Sequence, residues 1–246
     1  MITSIFLAVL GAVVGSFLNV VIYRLPLILK GEKLTLSLPA SHCPQCQSPI
    51  KVRHNIPVVG WVMLRGRCIN CRQRISPRYP LIELLTAVLF TLIINRYGLT
   101  PEGVIGILAI TLLVPLFFID LQTSLLPDRL TFPLIGLTLT ASLTGYGVVS
   151  WQESLLAATL GFAIPMVLAS FYLWRYGKAG MGMGDMKLFA SVGAWVGLDG
   201  LFQIMLFASL LAMFSAIFVL RRKRGEAFPF GPYIILAALG WIAVFV

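Results

Sequence analysis

The chain has 246 residues, of which 59% are hydrophobic and only 11% are charged. This composition departs from that of soluble domains toward that of integral membrane proteins, so a single globular core is excluded. The net charge of +10 would favour a nucleic-acid partner in a soluble protein, which makes the positions of the basic residues decisive.

Hydropathy predicts how the helices are arranged along the chain. A helix needs about 20 apolar residues to cross a bilayer, and eight stretches approach this length, the sixth being the shortest: 2–22, 80–96, 103–119, 130–148, 153–174, 186–198, 200–220 and 228–246. The first has neither a basic segment before it nor a small-residue cleavage site, so we expect a retained anchor and not a signal peptide. Strand-like alternation is absent, which predicts an all-α polytopic membrane protein with about eight transmembrane helices.

The basic residues cluster on one predicted side of the membrane. If residue 1 lies outside, the inner segments are 23–79, 120–129, 175–187 and 221–227, and they contain every one of the 19 Lys and Arg except Arg96. Cytoplasmic loops are enriched in basic residues, so this orientation accounts for the net charge without nucleic acid. The sequence predicts a multi-pass protein, surrounded by lipids, with a small cytoplasmic domain between its first and second spans.

The four cysteines all lie in that polar insert. They form two CxxC pairs, Cys43 with Cys46 and Cys68 with Cys71, separated by 21 residues. This spacing is typical of a structural zinc site with four thiolate ligands, and a domain of this size needs such a staple. A cytosolic location argues against disulfides. Redox-active or free thiols are the alternatives, and the neighbouring His42 and His54 are either substitute ligands or ordinary surface residues.

Two aspartates are the first candidates for catalysis. Asp120 closes the third predicted span and Asp185 opens the sixth, so both are expected at the cytoplasmic face, where carboxylates next to lipid usually serve a function. Two facing carboxylates can share a proton, one acting as base on water and the other as acid toward a carbonyl, as in aspartic proteases. Gly182 and Gly184 would let backbone and substrate approach closely.

Other roles for these carboxylates stay open from the residues alone. Asp185 is also a good helix N-cap, and Asp128, after Pro127, is a good N-cap for the fourth span. Chemistry alone does not choose between Asp120 and Asp128 as the first aspartate of the pair. Glu83, just inside the second span, either pairs with an arginine or meets a substrate amine. The helix dipole favours Asp185, at a helix start, as the ionised base and Asp120, at a helix end, as the protonated acid.

Motifs along nearly the whole chain carry a family resemblance. They are GSFLNVVIYRLP at 15–26, CPQC at 43–46, RGRCINC at 65–71, ISPRYPLIELLTA at 75–87, IDLQTSLLPDRLTFPL at 119–134, GMGDMKL at 182–188 and PFGPY at 229–233. In this order they resemble the type 4 prepilin peptidases, which are bifunctional leader peptidases and N-methyltransferases. PFGPY itself either shapes an active-site wall or simply begins the last helix.

The resemblance implies an activity and a site. The catalytic pair of that family would correspond to Asp120 and Asp185 of this sequence. The expected substrates are type IV prepilins or pseudopilins, processed at the cytoplasmic face of the bacterial inner membrane. Such enzymes remove a basic leader after a glycine and then methylate the new N-terminal residue with S-adenosylmethionine. The cysteine domain is linked to methyl transfer, and Gly66 matches a glycine associated with it. Further candidates for substrate or cofactor contact are Glu83, Gly182, Gly184 and Lys187.

The domain organisation expected from these patterns has three parts. Residues 1–22 form the first transmembrane helix, 23–79 the zinc domain and 80–246 the peptidase bundle. Two functions of other classes remain as alternatives: a proton-coupled transporter that uses Asp120, Asp185 and Glu83 as a relay, and a zinc-containing membrane adaptor in which the aspartates only cap helices. The transporter predicts carboxylates near the midplane of the bilayer and paired broken helices.

Overall fold

A computed structural model describes residues 2–178, 180–219 and 228–245, and this part of the chain is almost entirely helical. Its α-helices are α1 (Ile2–Leu29), α2 (Val59–Met63), α3 (Arg78–Tyr97), α4 (Pro101–Thr123), α5 (Asp128–Leu143), α6 (Trp151–Tyr176), α7 (Met183–Phe214) and α8 (Gly231–Phe245). One 3-10 turn covers Val52–His54, and one π turn covers Ser215–Val219. Strand pairing in the described ranges is limited to isolated bridges, so the predicted all-α class is confirmed.

Several helices are long and apolar enough to cross a membrane. Five stretches of the described residues meet this criterion: Thr3–Leu29, Arg78–Tyr97, Pro101–Thr123, Trp151–Tyr176 and Met183–Ile217. Helices α5 and α8 are shorter, with 16 and 15 residues. These helices agree with a multi-pass membrane protein. The basic run 221–224, part of the predicted inner segment 221–227, lies outside the described residues.

Helix α7 is divided by a sharp turn at Gly197. This glycine has φ 78° and ψ −170°, which only glycine adopts readily. A Cβ built on Gly193 would lie 3.4 Å from Leu201 Cδ1, although eight residues of straight helix rise about 12 Å. The chain therefore folds back here. The two spans predicted at 186–198 and 200–220 correspond to the helical segments 183–196 and 198–214.

The chain divides into two compact units, Met1–Pro115 and Leu116–Val246. In the first unit, α1 packs against α3 through glycines one helical turn apart. A Cβ on Gly11 would lie 2.7 Å from Ala87 Cα, and one on Gly15 would lie 2.8 Å from Glu83 Cα. Small residues at this spacing let two membrane helices approach backbone to backbone.

In the second unit, α7 is the central helix and packs against α5, α6 and α8. Its contact with α6 again uses small residues: a Cβ on Gly161 would lie 2.6 Å from the Phe189 carbonyl oxygen, and one on Gly193 would lie 2.6 Å from that of Ala157. The Ser154 hydroxyl donates a hydrogen bond of 2.7 Å to the Ala194 carbonyl. These contacts hold the first segment of α7, which begins with the GMGD motif.

The close approach of α6 and α7 predicts a specific sensitivity. Gly161→Ala places a methyl group against the backbone of α7, where no flexible side chain can yield, and overpacking of this kind typically destabilises a protein by about 1–3 kcal/mol. Gly136→Ala in α5 is the matched control, because its Cβ would meet no atom within 4 Å. Thermal unfolding in detergent should show a lower midpoint for Gly161→Ala alone; equal midpoints would contradict the packing.

Candidate active site and metal centre

The four cysteines come together in two similar turns. In each, the first Cys N–H donates to the carbonyl five residues on, from Cys43 to Ser48 and from Cys68 to Gln73. The residue after each second cysteine, Gln47 or Arg72, has a positive φ of 56° or 60°. The backbone thus curls around each pair of sulfurs in the same way.

The sulfur positions fit the predicted zinc ion. All four Sγ atoms lie within 4.8 Å of one another, with 3.8 Å between Cys43 and Cys71 and 3.9 Å between Cys46 and Cys68. Four sulfurs at about 2.3 Å from a tetrahedral zinc would be about 3.8 Å apart. Hydrogen bonding by the Ser48 side chain and backbone lowers the pKa of Cys46 to about 6, which favours the thiolate form that binds metals. Neither His42 nor His54 belongs to this cluster.

Gly66 lies at the turn that leads into the second cysteine pair. Its φ is +63°, and a Cβ there would lie 2.7 Å from the indole ring of Trp61. Its N–H donates to the Trp61 carbonyl, and its own carbonyl accepts from Ile75 N–H at 2.7 Å. Glycine is therefore required to form this turn, and any contact between Gly66 and a cofactor stays a prediction.

Glu83 is buried on α3 and binds backbone. Its carboxylate accepts a 2.6 Å hydrogen bond from Val58 N–H and a further one from the Ser16 side chain. The first of these bonds fixes the loop before α2, where Val58 has φ 60° and ψ −52°. The structure thus gives Glu83 a structural role, and its predicted contact with a substrate amine stays a prediction.

Asp120 is buried in the second unit. Its side chain lies in the last turns of α4 and is only 3% exposed. The Oδ2 atom accepts a 2.9 Å hydrogen bond from the N–H of Gly231, the first residue of α8. A residue far along the chain, within the PFGPY motif, therefore supplies the donor for this carboxylate.

Asp185 lies in the first turn of α7, and Gly182 is the N-cap of that helix. The Asp185 carboxylate accepts the Gly182 N–H, as the third residue of a capping box does. Its Oδ1 atom is buried and has no hydrogen-bond partner among the residues that the structure describes. Helix capping thus explains only one of the two oxygens, and the other is available for chemistry.

The two aspartates belong to one cluster. They are close enough for their charges to interact. The Leu126 side chain lies next to two glycines of the site: Gly184, which precedes Asp185, and Gly231, which binds Asp120. A Cβ on Gly184 would be 2.7 Å from Leu126 Cβ, and one on Gly231 would be 3.2 Å from Leu126 Cδ2. Sequence reasoning did not single out Leu126 or Gly231; the only signal was their place in the LPD and PFGPY motifs.

Asp128 is separate from this pair. It is the first residue of α5, whose N-cap is Pro127, so the predicted cap is wrong by one residue. Its carboxylate lies 2.6 Å from Lys187 Nζ, and that ammonium also lies over the Phe132 ring. The side chain of Asp128 is 57% exposed. Lys187, a candidate for substrate contact, is thus engaged in an ion pair.

Comparison with known proteins gives matches along most of the chain. A model described as the bacterial peptidase A24 N-terminal domain matches residues 9–97, and one described as the type IV leader peptidase family matches residues 107–220. No solved structure matches.

Curated relatives match over nearly their full length. The chain is 42% identical over 254 residues to the prepilin leader peptidase/N-methyltransferase of Neisseria gonorrhoeae, covering 96% of this chain and 87% of the relative. It is 39% identical over 257 residues to the protein of the same name from Pseudomonas putida, covering 96% and 88%. The type 4 prepilin-like proteins leader peptide-processing enzyme of Escherichia coli is 36% identical over 252 residues, covering 94% and 90%.

The sulfur cluster predicts the metal content of the purified protein. We expect about one zinc ion per chain, and its loss in Cys43→Ser and Cys68→Ser, because a structural site needs all four thiolates. His42→Ala and His54→Ala are the controls and should keep the metal. Mass spectrometry of the metal in gel-filtered protein measures this. Zinc retained by both cysteine variants, or lost from either histidine variant, would show that the ligands are misassigned.

Proposed function

We propose, since the chain belongs to the type IV leader peptidase family, that it is a membrane aspartic endopeptidase that removes the leader of prepilins and pseudopilins and then methylates the new N-terminus. The relatives' names supply both activities. The single observation that carries the peptidase mechanism is the cluster of Asp120 and Asp185, two carboxylates within one compact unit.

The proposed chemistry uses the two carboxylates as one unit. An ionised aspartate takes a proton from water while the oxygen of that water attacks the scissile carbonyl carbon, and the protonated aspartate donates its proton to the carbonyl oxygen. Collapse of the tetrahedral intermediate breaks the C–N bond, and the leaving amine takes up a proton. Asp185 Oδ1, which is buried without a donor, is well suited to hold the water or the shared proton.

The substrate and its side of the membrane follow from charge. The basic segments of this chain are expected in the cytoplasm, and a basic prepilin leader would stay there for the same reason. The apolar helix of the prepilin would lie in the bilayer beside the enzyme, with the bond after its glycine near the aspartates. We therefore propose that the zinc domain and the active site both face the cytoplasm at the bacterial inner membrane.

The proposed methyl transfer uses S-adenosylmethionine, which supplies the methyl group for the new N-terminal amine. A zinc ion with four thiolate ligands has no open position for substrate. The four-cysteine site can therefore support methyl transfer only indirectly, through the fold of its domain. Its role is to fold residues 41–75, including the turn at Gly66. We therefore propose that zinc is structural and that the acceptor amine is bound by protein groups.

The helix positions argue against a proton-coupled transporter. Asp185 lies in the first turn of α7, and Asp120 lies only three residues before the end of α4 at Thr123. A relay through the bilayer would place carboxylates near the middle of spanning helices. A pure adaptor is disfavoured because capping leaves Asp185 Oδ1 buried with no partner in the described part of the chain.

Isosteric substitution tests the aspartate pair. Asp120→Asn and Asp185→Asn should each lower the rate of leader removal by at least about 100-fold, because an amide can neither accept nor donate the transferred proton. The assay follows the mass of a prepilin with a basic leader and a Gly-Phe junction, with and without S-adenosylmethionine. Asp199→Asn, at an exposed position of α7, is the control. Wild-type cleavage by either active-site variant would refute the mechanism.

Asp128 provides a second discrimination. Asp128→Asn removes an ion pair in which the carboxylate is 57% exposed and the Lys187 side chain 15% exposed. Solvent reaches the carboxylate and weakens the pair, and exposed pairs typically contribute about 0.2–1 kcal/mol. We expect kcat/KM for leader removal to fall by less than about tenfold, in contrast to Asp120→Asn. The same prepilin assay measures both. A loss at Asp128 as large as that at Asp120 would mean that the first aspartate of the pair has been misassigned.

A further inference from the structure

We propose that Gly231 is a positioning residue for the catalytic carboxylate of Asp120, through its backbone N–H, and that this function explains the glycine of PFGPY. The inference rests on the proposed aspartic mechanism and extends it to a residue outside the aspartate motifs. It is carried by the hydrogen bond from Gly231 N–H to Asp120 Oδ2, at 2.9 Å, between buried groups.

The N–H of Gly231 is the backbone donor at the start of α8 that is available to bind a neighbouring side chain. The first N–H groups of a helix have no partner within it. Pro232 has no N–H, and the Tyr233 N–H is already bound to the Phe230 carbonyl at 3.1 Å. Among residues 231–233, only Gly231 can therefore donate to a neighbouring carboxylate. The positive end of the α8 dipole acts in the same direction.

The space around Gly231 excludes a side chain. A Cβ there would lie 2.9 Å from Asp120 Oδ2 and 3.3 Å from its Cγ, with Leu126 Cδ2 at 3.2 Å. The atoms that would have to move are thus mainly those of the Asp120 carboxylate. A methyl group at position 231 would therefore press first on the catalytic group.

An aromatic contact fixes the start of α8 relative to α7. The Phe230 ring packs against Phe189, with 6.0 Å between the centroids. Phe189 lies one helical turn after Asp185 on α7, so the N–H of Gly231 is held in register with the segment that carries the second aspartate. This contact makes the Gly231 donor a fixed part of the site.

Kinetics of two glycine variants test the proposal. Gly231→Ala should lower kcat for leader removal by about 100-fold, since a displacement of about 1 Å in an active site can have an effect of that size, while KM for the prepilin changes less than threefold. Gly240→Ala lies in the same helix, and its Cβ meets no atom within 4 Å, so kcat should stay at the wild-type value. A role in folding alone would instead lower the active fraction and the thermal midpoint.

A second variant removes the hydrogen bond without adding an atom to the side chain. Glycolic acid incorporated at position 231 by nonsense suppression replaces the N–H with an ester oxygen. The lost N–H has no partner within α8, and the one further change is that the Phe230 carbonyl, now part of an ester, accepts more weakly from the N–H groups of Tyr233 and Ile234. We expect kcat to fall at least tenfold with an unchanged thermal midpoint. This variant decides the matter if Gly231→Ala does not fold.

The outcomes separate this inference from the proposed function. If Asp120→Asn and Asp185→Asn are inactive while both Gly231 variants keep the wild-type kcat, the positioning role is overturned and the aspartic mechanism stands. If the aspartate variants cleave normally, the mechanism fails and the positioning role fails with it. Loss of kcat in both Gly231 variants, with zinc content and thermal midpoint unchanged, supports the assignment.

Discussion

The burial of a carboxylate inside an apolar helical bundle is the constraint on which the second unit depends. Moving an ionised carboxylate out of water costs several kcal/mol unless donors replace the lost hydration. Asp120, only 3% exposed, receives the Gly231 N–H, and Asp185 receives the Gly182 N–H. Both donors are backbone groups at the starts of helices, where N–H groups are free. A Cβ would lie 2.9 Å from Asp120 Oδ2 at position 231 and 3.3 Å from Asp185 Oδ2 at position 182, so glycine suits both of these particular approaches.

The same arrangement changes the argument about proton roles. Along the chain, Asp120 lies near the end of α4 and Asp185 near the start of α7, and on that basis the helix dipole favours Asp185 as the base. The fold, however, brings the start of α8 to Asp120. Both carboxylates therefore face a helix N-terminus, and the dipole no longer separates them. An asymmetry remains at Asp185 Oδ1, which is buried and receives no donor from residues 2–178, 180–219 or 228–245, so a shared proton or a bound water there would relieve the cost of its burial.

The sequence predicts features that depend on neighbouring residues and does not predict contacts between residues far apart along the chain. The CxxC pairs, the apolar stretches and the division of α7 into two segments are local patterns, and the structure contains all three. Gly231, the partner of Asp120, lies 111 residues away along the chain, and Lys187, the partner of Asp128, lies 59 residues away. No periodic pattern in the sequence predicts contacts over such separations. Hydropathy also ended the first span at residue 22, whereas α1 continues to Leu29. Buried Arg24 explains this, because its guanidinium donates to the carbonyls of Thr35, Leu36 and Pro39, so a charge need not end a helix.

In each unit, a backbone N–H group donates to a carboxylate that is largely removed from water: Glu83 in the first unit and Asp185 in the second. Comparison of these two residues shows what distinguishes a structural acid from a reactive one. In the first unit, Glu83 receives two donors, one of them from Val58, whose positive φ is unfavourable for a β-branched residue. The hydrogen bond there stabilises a strained turn, and the burial of the acid is balanced by its partners. In the second unit, Asp185 has one oxygen bound, whereas the other is buried and meets no partner among the described residues. An oxygen in that state gains most from a proton, a water molecule or a substrate. We therefore propose that Asp185 takes part in the chemistry and that Glu83 has a structural role.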